Sequence, residues 1–243
     1  MSTRCSTKPA RPHPERSSRL LRSHPTPPPG EARSQALLIA GLLLLAILLW
    51  ALTYRAQEVP LAGIDAEDYA QIGRQLAEGK GFTTLFLPLN GLAWLNAHGF
   101  SLQPPWPNIS RFPLPPLVMA GLFRLFGPSD LAAAGYSLLG TLLGVPFLVL
   151  LAWQLGGRAL ALTAGLLYVL HPNALQLTIS ALTEPLSASL LLAAAYLLLQ
   201  RDVRAHAFAG AIFGLSYWNR TTLLLLALPC RRAPALARTS TLA

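Results

Sequence analysis

The sequence predicts an all-α protein, a polytopic transmembrane helical bundle whose extracytoplasmic first loop carries juxtamembrane helices. Three observations predict it. Hydrophobic side chains make up 53% of the 243 residues and charged ones only 12%, about half the charge of an ordinary soluble domain, and the mean hydropathy is +0.45. The apolar residues stand in long uncharged blocks rather than at the spacing of one buried helix face. Basic residues flank those blocks unevenly, which is how a span is oriented.

Residues 1–35 form a separate regime, with seven prolines, seven Lys or Arg and almost nothing able to join a core. This composition predicts a disordered, basic, Pro-rich cytoplasmic tail. From Ala36 to Tyr54 the chain reads ALLIAGLLLLAILLWALTY without a charge, long enough as a helix to cross the hydrocarbon core of a bilayer. With the basic tail before it and no small-residue cleavage site after it, the segment reads as a retained signal anchor with the N-terminus in the cytoplasm.

An outer loop, residues 55–130, follows. Its part from Arg55 to Phe112 holds four Lys or Arg against five Asp or Glu, a balance that suits the outer face. Between Gly63 and Phe82, Tyr69, Ile72 and Leu76 recur at intervals of three and four, which predicts a short amphipathic helix with Asp65 as N-cap and Gly79 as terminator. Pro113 to Phe126 is too short for a span, opens on prolines and carries Arg124, so a helix at the outer interface is expected.

The remaining blocks are Leu131 to Gly157, Ala159 to Thr183, Pro185 to Gln200, and Ala207 to Pro229, the last interrupted by Arg220. Running the first of these inward puts Arg158, Arg201 and Arg204 in the cytoplasm, as the positive-inside rule prefers. Together with the anchor this gives about five spans in a membrane domain of residues 36–229. A short polar tail, 230–243, completes the chain.

Ionisable groups close to a membrane are costly to place there, so the chemistry is sought among them. Asp65, Glu67, Asp68 and Tyr69 open the outer helix; as acids at a helix start they either complement its dipole or serve an acceptor hydroxyl. Thr183-Glu184-Pro185 begins a span, with proline where its missing N–H costs nothing. Glu184 there complements the helix start or faces a substrate. Arg220, in Trp218-Asn219-Arg220-Thr221-Thr222, lies inside an apolar stretch and must snorkel, pair or meet an anion. His171 precedes Pro172 and reads as a helix end, since no second histidine stands at metal-ligand spacing. Cys5 and Cys230 offer neither a disulfide framework nor a metal site. The net charge of +9 suggests nucleic acid, but seven of the 19 basic residues lie before Ala36, where they orient the anchor; no nucleic-acid partner is expected.

The order of these pieces resembles a known family. One anchor is followed by Asp65 and Tyr69, Leu76-Ala77-Glu78-Gly79-Lys80-Gly81-Phe82, Arg111-Phe112-Pro113-Leu114-Pro115-Pro116-Leu117, Leu122-Phe123-Arg124-Leu125-Phe126-Gly127, Thr183-Glu184-Pro185-Leu186, and Gly214 to Arg220. This is similar to the GT-C class of polytopic glycosyltransferases, of the protein-mannosyltransferase and aminoarabinose-transferase type (glycosyltransferase families 39 and 83). It covers Leu61 to Pro229, the N-terminal portion of such proteins, so a truncated enzyme is expected, or alternatively a non-catalytic multi-pass remnant or envelope-assembly scaffold.

The resemblance implies an inverting transfer of a sugar from a polyprenyl-phosphate donor in the membrane lipid to a glycan, lipid or protein acceptor outside the cytoplasm. It places the base at Asp65. Around the substrates it implies Glu67, Asp68, Tyr69, Arg74, Lys80, Arg111, Glu184 and Arg220, the basic members holding the departing phosphate. Metal use varies in the family, so no cofactor is assigned and a divalent cation at Glu67 or Asp68 stays open. Where relatives often carry an arginine near the second span, Gly135 stands here. The Ala-, Leu-, Gly- and Arg-rich composition points to a bacterial inner membrane.

Overall fold

A computed structural model describes residues 29–56, 61 and 63–220. The expectations for the tail up to residue 28, for the last span beyond Arg220, and for the terminal segment 230–243 with Cys230 lie outside the described residues.

Helix α1 spans Pro29–Ala56 and contains the whole predicted anchor. Next come α2 (Ile64–Ala77), β1 (Thr83–Thr84), α3 (Leu89–Ala97), β2 (Trp106–Pro107) and α4 (Leu114–Phe126). The bundle continues with α5 (Asp130–Leu170), α6 (Pro172–Ile179), α7 (Glu184–Leu198) and α8 (Val203–Asn219). By length and composition α1 and α5 can each cross a membrane; the pair α6 and α7, bent by 111°, is a third crossing if it forms one broken span and a re-entrant loop if it does not.

Helix α5 is two limbs. Gly156 and Gly157 leave helical geometry, Gly157 at φ 71, a conformation open to glycine because it lacks a Cβ. In a straight helix Gly144 and Tyr168 would stand about 36 Å apart; here a Cβ on Gly144 would come within 2.7 Å of the Tyr168 hydroxyl. The limbs therefore fold back on each other, at the place beside Arg158 where the sequence predicts a return. They pack with α1 through Leu42, Ala46, Val145, Val149, Ala152, Ala161 and Val169.

Helix α7 lies against the first limb with almost no space between backbones. A Cβ on Gly140 would fall 2.5 Å from the Leu186 nitrogen, and Ser189 Oγ donates to the carbonyls of Gly140 and Pro185. Small residues allow this approach in lipid, where packing and hydrogen bonds replace the hydrophobic effect between helices.

A second core sits at the end of the bundle where α5 and α7 begin. There Ala66, Tyr69, Ala70, Met119, Phe123, Ala132, Ala133, Tyr136 and Ala181 pack together, joining α2 and α4 to the spans. The expected apolar face of α2 is confirmed, since Tyr69 and Ile72 are buried. Its terminator is confirmed too: Gly79 takes φ 76 and the Lys80 amide donates to the Gln75 carbonyl, as in a Schellman ending. Its cap is corrected. Gly63, not Asp65, is the N-cap, and its carbonyl accepts from the amides of Ala66 and Glu67. Asp65 stands in the first turn with its carboxylate free to turn elsewhere.

The two ends of the bundle differ in charge. Trp153 at one end donates to Glu31, near Arg33 and close in sequence to Arg158, and α7 runs parallel to the first limb toward Arg201 and Arg204. At the opposite end the acids of α2 are matched by bases, Asp65, Glu67, Asp68 and Glu78 standing with Arg74, Lys80, Arg111 and Arg220.

Candidate functional site

The site forms where the starts of α5 and α7, the end of α8, and α2 converge. Its centre is Arg111, in the segment between β2 and α4. The guanidinium Nε donates to Asp68 Oδ2 at 2.7 Å and an Nη reaches Asp65 Oδ1 at 2.7 Å. Asp65 and Asp68 are three apart on α2, so their side chains share a face, and one forked cation can serve both.

The two acids differ in environment. The Asp68 side chain is 9% exposed and also faces the Thr84 hydroxyl at 3.5 Å; that hydroxyl stands 3.1 Å from Gln71 Oε1 and 3.0 Å from the Phe86 carbonyl. The Asp65 side chain is 60% exposed. Asp68 is built into the fold, whereas Asp65 presents an oxygen to the open space outside.

Arg111 also lies over the Tyr69 ring, 5.4 Å from its centroid, within cation–π range. Asn108 fixes its backbone, accepting from the Arg111 amide and donating to the Arg111 carbonyl. Burial works against the guanidinium charge, but the hydrogen bond to Asp68 and the charge of Asp65 outweigh it and hold the Arg111 pKa above its ordinary value. Burial pushes the Tyr69 phenol up; Arg111 opposes this, Asp65 reinforces it, and Arg220 pulls the other way.

Arg220 is therefore within electrostatic reach of Tyr69. It closes α8 and forms an ion pair with Glu184, the first residue of α7. The second carboxylate oxygen of Glu184 is buried without a hydrogen-bond partner among the described residues. Behind the pair, the Tyr136 hydroxyl donates to Asn219 Oδ1. The Asn219 amide donates to the Thr183 carbonyl at 3.0 Å and to Ser187 Oγ at 2.7 Å. Phe112 meets Tyr217 edge-on, so the segment between β2 and α4 touches the end of α8 directly.

Three stretches far apart in sequence thus form one site: Asp65, Asp68 and Tyr69, then Arg111, then Glu184 and Arg220. Other expected residues lie outside it. Glu67 is exposed on α2 and lines a neighbouring cleft with Ile64, Asp68, Gln71, Leu85 and Phe86, which meets the site at Asp68. Arg74 is exposed nine residues on from Asp65, half a turn round the helix. Lys80 pairs with Glu78 at 2.6 Å on the surface. Gly135 carries no charge, and a Cβ there would touch Leu122 at 3.5 Å. Among the described residues no group of three or more His, Cys, Asp or Glu side chains is placed to hold a metal ion.

Sequence reasoning does not single out Tyr136 or Asn219. A signal for both exists, because each is a large hydrogen-bonding side chain in a stretch expected to lie in lipid, where such groups need partners.

The dolichyl-phosphate-mannose-protein mannosyltransferase family matches residues 106–237, more than half of the chain. The chain belongs to this family. No curated protein and no solved structure matches it. The mannosyltransferase match takes in Arg111, Tyr136, Glu184, Asn219 and Arg220 but begins after α2, so Asp65, Asp68 and Tyr69 join the family segment through the geometry just described. Membership makes the chain a membrane protein of GT-C glycosyltransferase type and implies a lipid-linked sugar donor and an acceptor.

Proposed function

We propose that the chain carries the acceptor-activating part of an inverting glycosyltransferase, moving a sugar from a polyprenyl-phosphate donor to an acceptor outside the cytoplasm. Residues 1–35 then lie in the cytoplasm, the loop 55–130 lies outside, and the protein sits in a bacterial inner membrane.

The observation that carries this reading is the exposed Asp65 carboxylate beside Arg111, with Arg220 in electrostatic reach of the same helix. A single displacement at the anomeric carbon needs one base to take the acceptor proton and cations to meet the departing phosphate. Asp65 serves as the base. Its bond to Arg111 holds the carboxylate outward in one orientation. Arg220 is the better phosphate ligand, because its partner Glu184 is a single acid and the Arg220 side chain is 42% exposed. Arg111, committed to two carboxylates, contributes field and position. Tyr69 stays a neutral phenol under Arg111.

The test is sugar transfer from a polyprenyl-linked donor in membranes containing the full chain or its Asp65→Asn variant. Loss of about 10²-fold or more is expected, the size of a positioned base. Unchanged transfer excludes Asp65 as the base, and absence of transfer by the unaltered chain favours the non-catalytic alternative.

A further inference from the structure

From Phe82 to Ser110 the chain runs for 29 residues without one Asp, Glu, Lys or Arg. An ordinary water-exposed loop is charged. This one folds into a hairpin instead. Antiparallel pairing of Thr83 with Pro107 and of Thr84 with Trp106 closes its base, and α3 forms its arm. Trp94 stacks on His98 with ring centroids 4.2 Å apart and on Phe100 at 5.7 Å. The Trp106 indole N–H donates to the Ser101 carbonyl.

The hairpin buries little of what it carries. Leu89 is 85% exposed and Ile109 94%, and none of the residues of α3 is buried. A cavity of about 430 Å³ opens between α3 and β2, walled by Trp94, Phe100, Trp106 and Ile109. Its neutral amides, Asn90, Asn96 and Gln103, are all exposed. An apolar surface of this kind marks an interaction site.

The hairpin's place in the fold decides what covers it. It is rooted on α2 through Thr84 and beside Arg111 through Asn108. Helix α2 in turn sits at the end of the bundle where α5 starts and α1 finishes, because Trp50 of α1 shares a cavity wall with Ser129 and Leu131. Trp50 and Tyr54 stack at that end of α1, where an aromatic pair marks the boundary of a span. The hairpin is thus a charge-free, Trp-bearing apolar arm held at the level where the spans leave the bilayer. Exposed Leu and Ile tips, two tryptophans and small neutral amides match the boundary between headgroups and acyl chains. A protein interface would be expected to carry a polar rim that includes charged groups.

We infer that residues 82–110 form a membrane-docking arm that lies in a headgroup layer, with its apolar side chains and cavity occupied by lipid chains. The inference needs neither a sugar donor nor turnover, so it stands or falls apart from the proposed reaction. Docking would hold Thr84 and Arg111 at the depth of a lipid phosphate, on either flank of the Asp68 carboxylate.

The experiment is depth measurement by spin labels in the full chain with Cys5 and Cys230 replaced by serine. Single labels are placed at Leu89→Cys, Ile109→Cys and Lys80→Cys, and the protein is reconstituted in vesicles of phosphatidylethanolamine and phosphatidylglycerol with a nickel chelate on both sides. Leu89 and Ile109 are almost wholly exposed, so these cysteines leave the packing untouched. Expected are several-fold lower collision with the chelate at 89 and 109 than at 80, together with higher collision with oxygen. Chelate collision equal to that at 80 would overturn the inference in favour of a bare aqueous loop. Low collision with both reagents would overturn it in favour of a cover made by a second copy or another protein.

Discussion

Arg111 and Arg220 stand at the same end of the molecule and do different work. Arg111 forks between two carboxylates, one of them buried, while its backbone is clasped by Asn108 and its face lies on Tyr69. Arg220 meets one carboxylate, both partners are about 40% exposed, and it stands where a helix ends. The first arrangement is a fixture and the second is adjustable. The contrast teaches that a cation's chemical availability depends on how many partners already claim it, and that the arginine with fewer claims is the one able to accept a phosphate.

The contrast can be broken most forcefully at Arg111. Replacing it by methionine leaves Asp68 buried without its cation, which costs about 3 kcal/mol; thermal unfolding in detergent should show a clear loss, and adding Asp68→Asn should restore part of it. If Arg111→Met unfolds like the unaltered chain, the fixture reading fails. Arg220→Met is expected to change stability by under about 1 kcal/mol, as for exposed pairs, yet to lower transfer about tenfold or more through weaker donor binding. Equal losses at both arginines in both assays would erase the distinction.

A finer probe is pH. The Tyr69 pKa is raised in the folded state, so its contribution to stability is complete below the ordinary tyrosine value of about 10 and is lost as pH climbs through the raised value. Tyr69→Phe should therefore flatten the alkaline fall of the melting temperature. An identical fall in the variant assigns it to other groups. The smallest effect is expected at Lys80→Ala, where an exposed pair with Glu78 contributes under about 0.5 kcal/mol and transfer is unchanged.

Much of this was legible in the residues because it is local. The 3–4 spacing of Tyr69, Ile72 and Leu76 writes the buried face of α2, Gly79 writes its end, and Pro185 writes the start of α7. Gly156-Gly157 beside Arg158 marks a return between spans. What the sequence left unwritten depends on distance along the chain. Nothing near Asp68 announces that its cation comes from position 111, or that Gly63 rather than Asp65 caps the helix and releases that carboxylate. Helix α3 escaped notice because an uncharged stretch of Leu, Asn and Trp has no amphipathic period to read. The link from Tyr136 through Asn219 to Thr183 is a tertiary event, visible only once α5, α7 and α8 are packed.

The turn at Gly156 and Gly157 carries a further consequence for how the molecule is made. With only two residues between its limbs, α5 has no slack by which one limb could settle in lipid while the other waits in the translocation machinery. The two are expected to leave that machinery side by side, as one wedge, and their close-packed contact with α1 would then be formed at the moment of insertion.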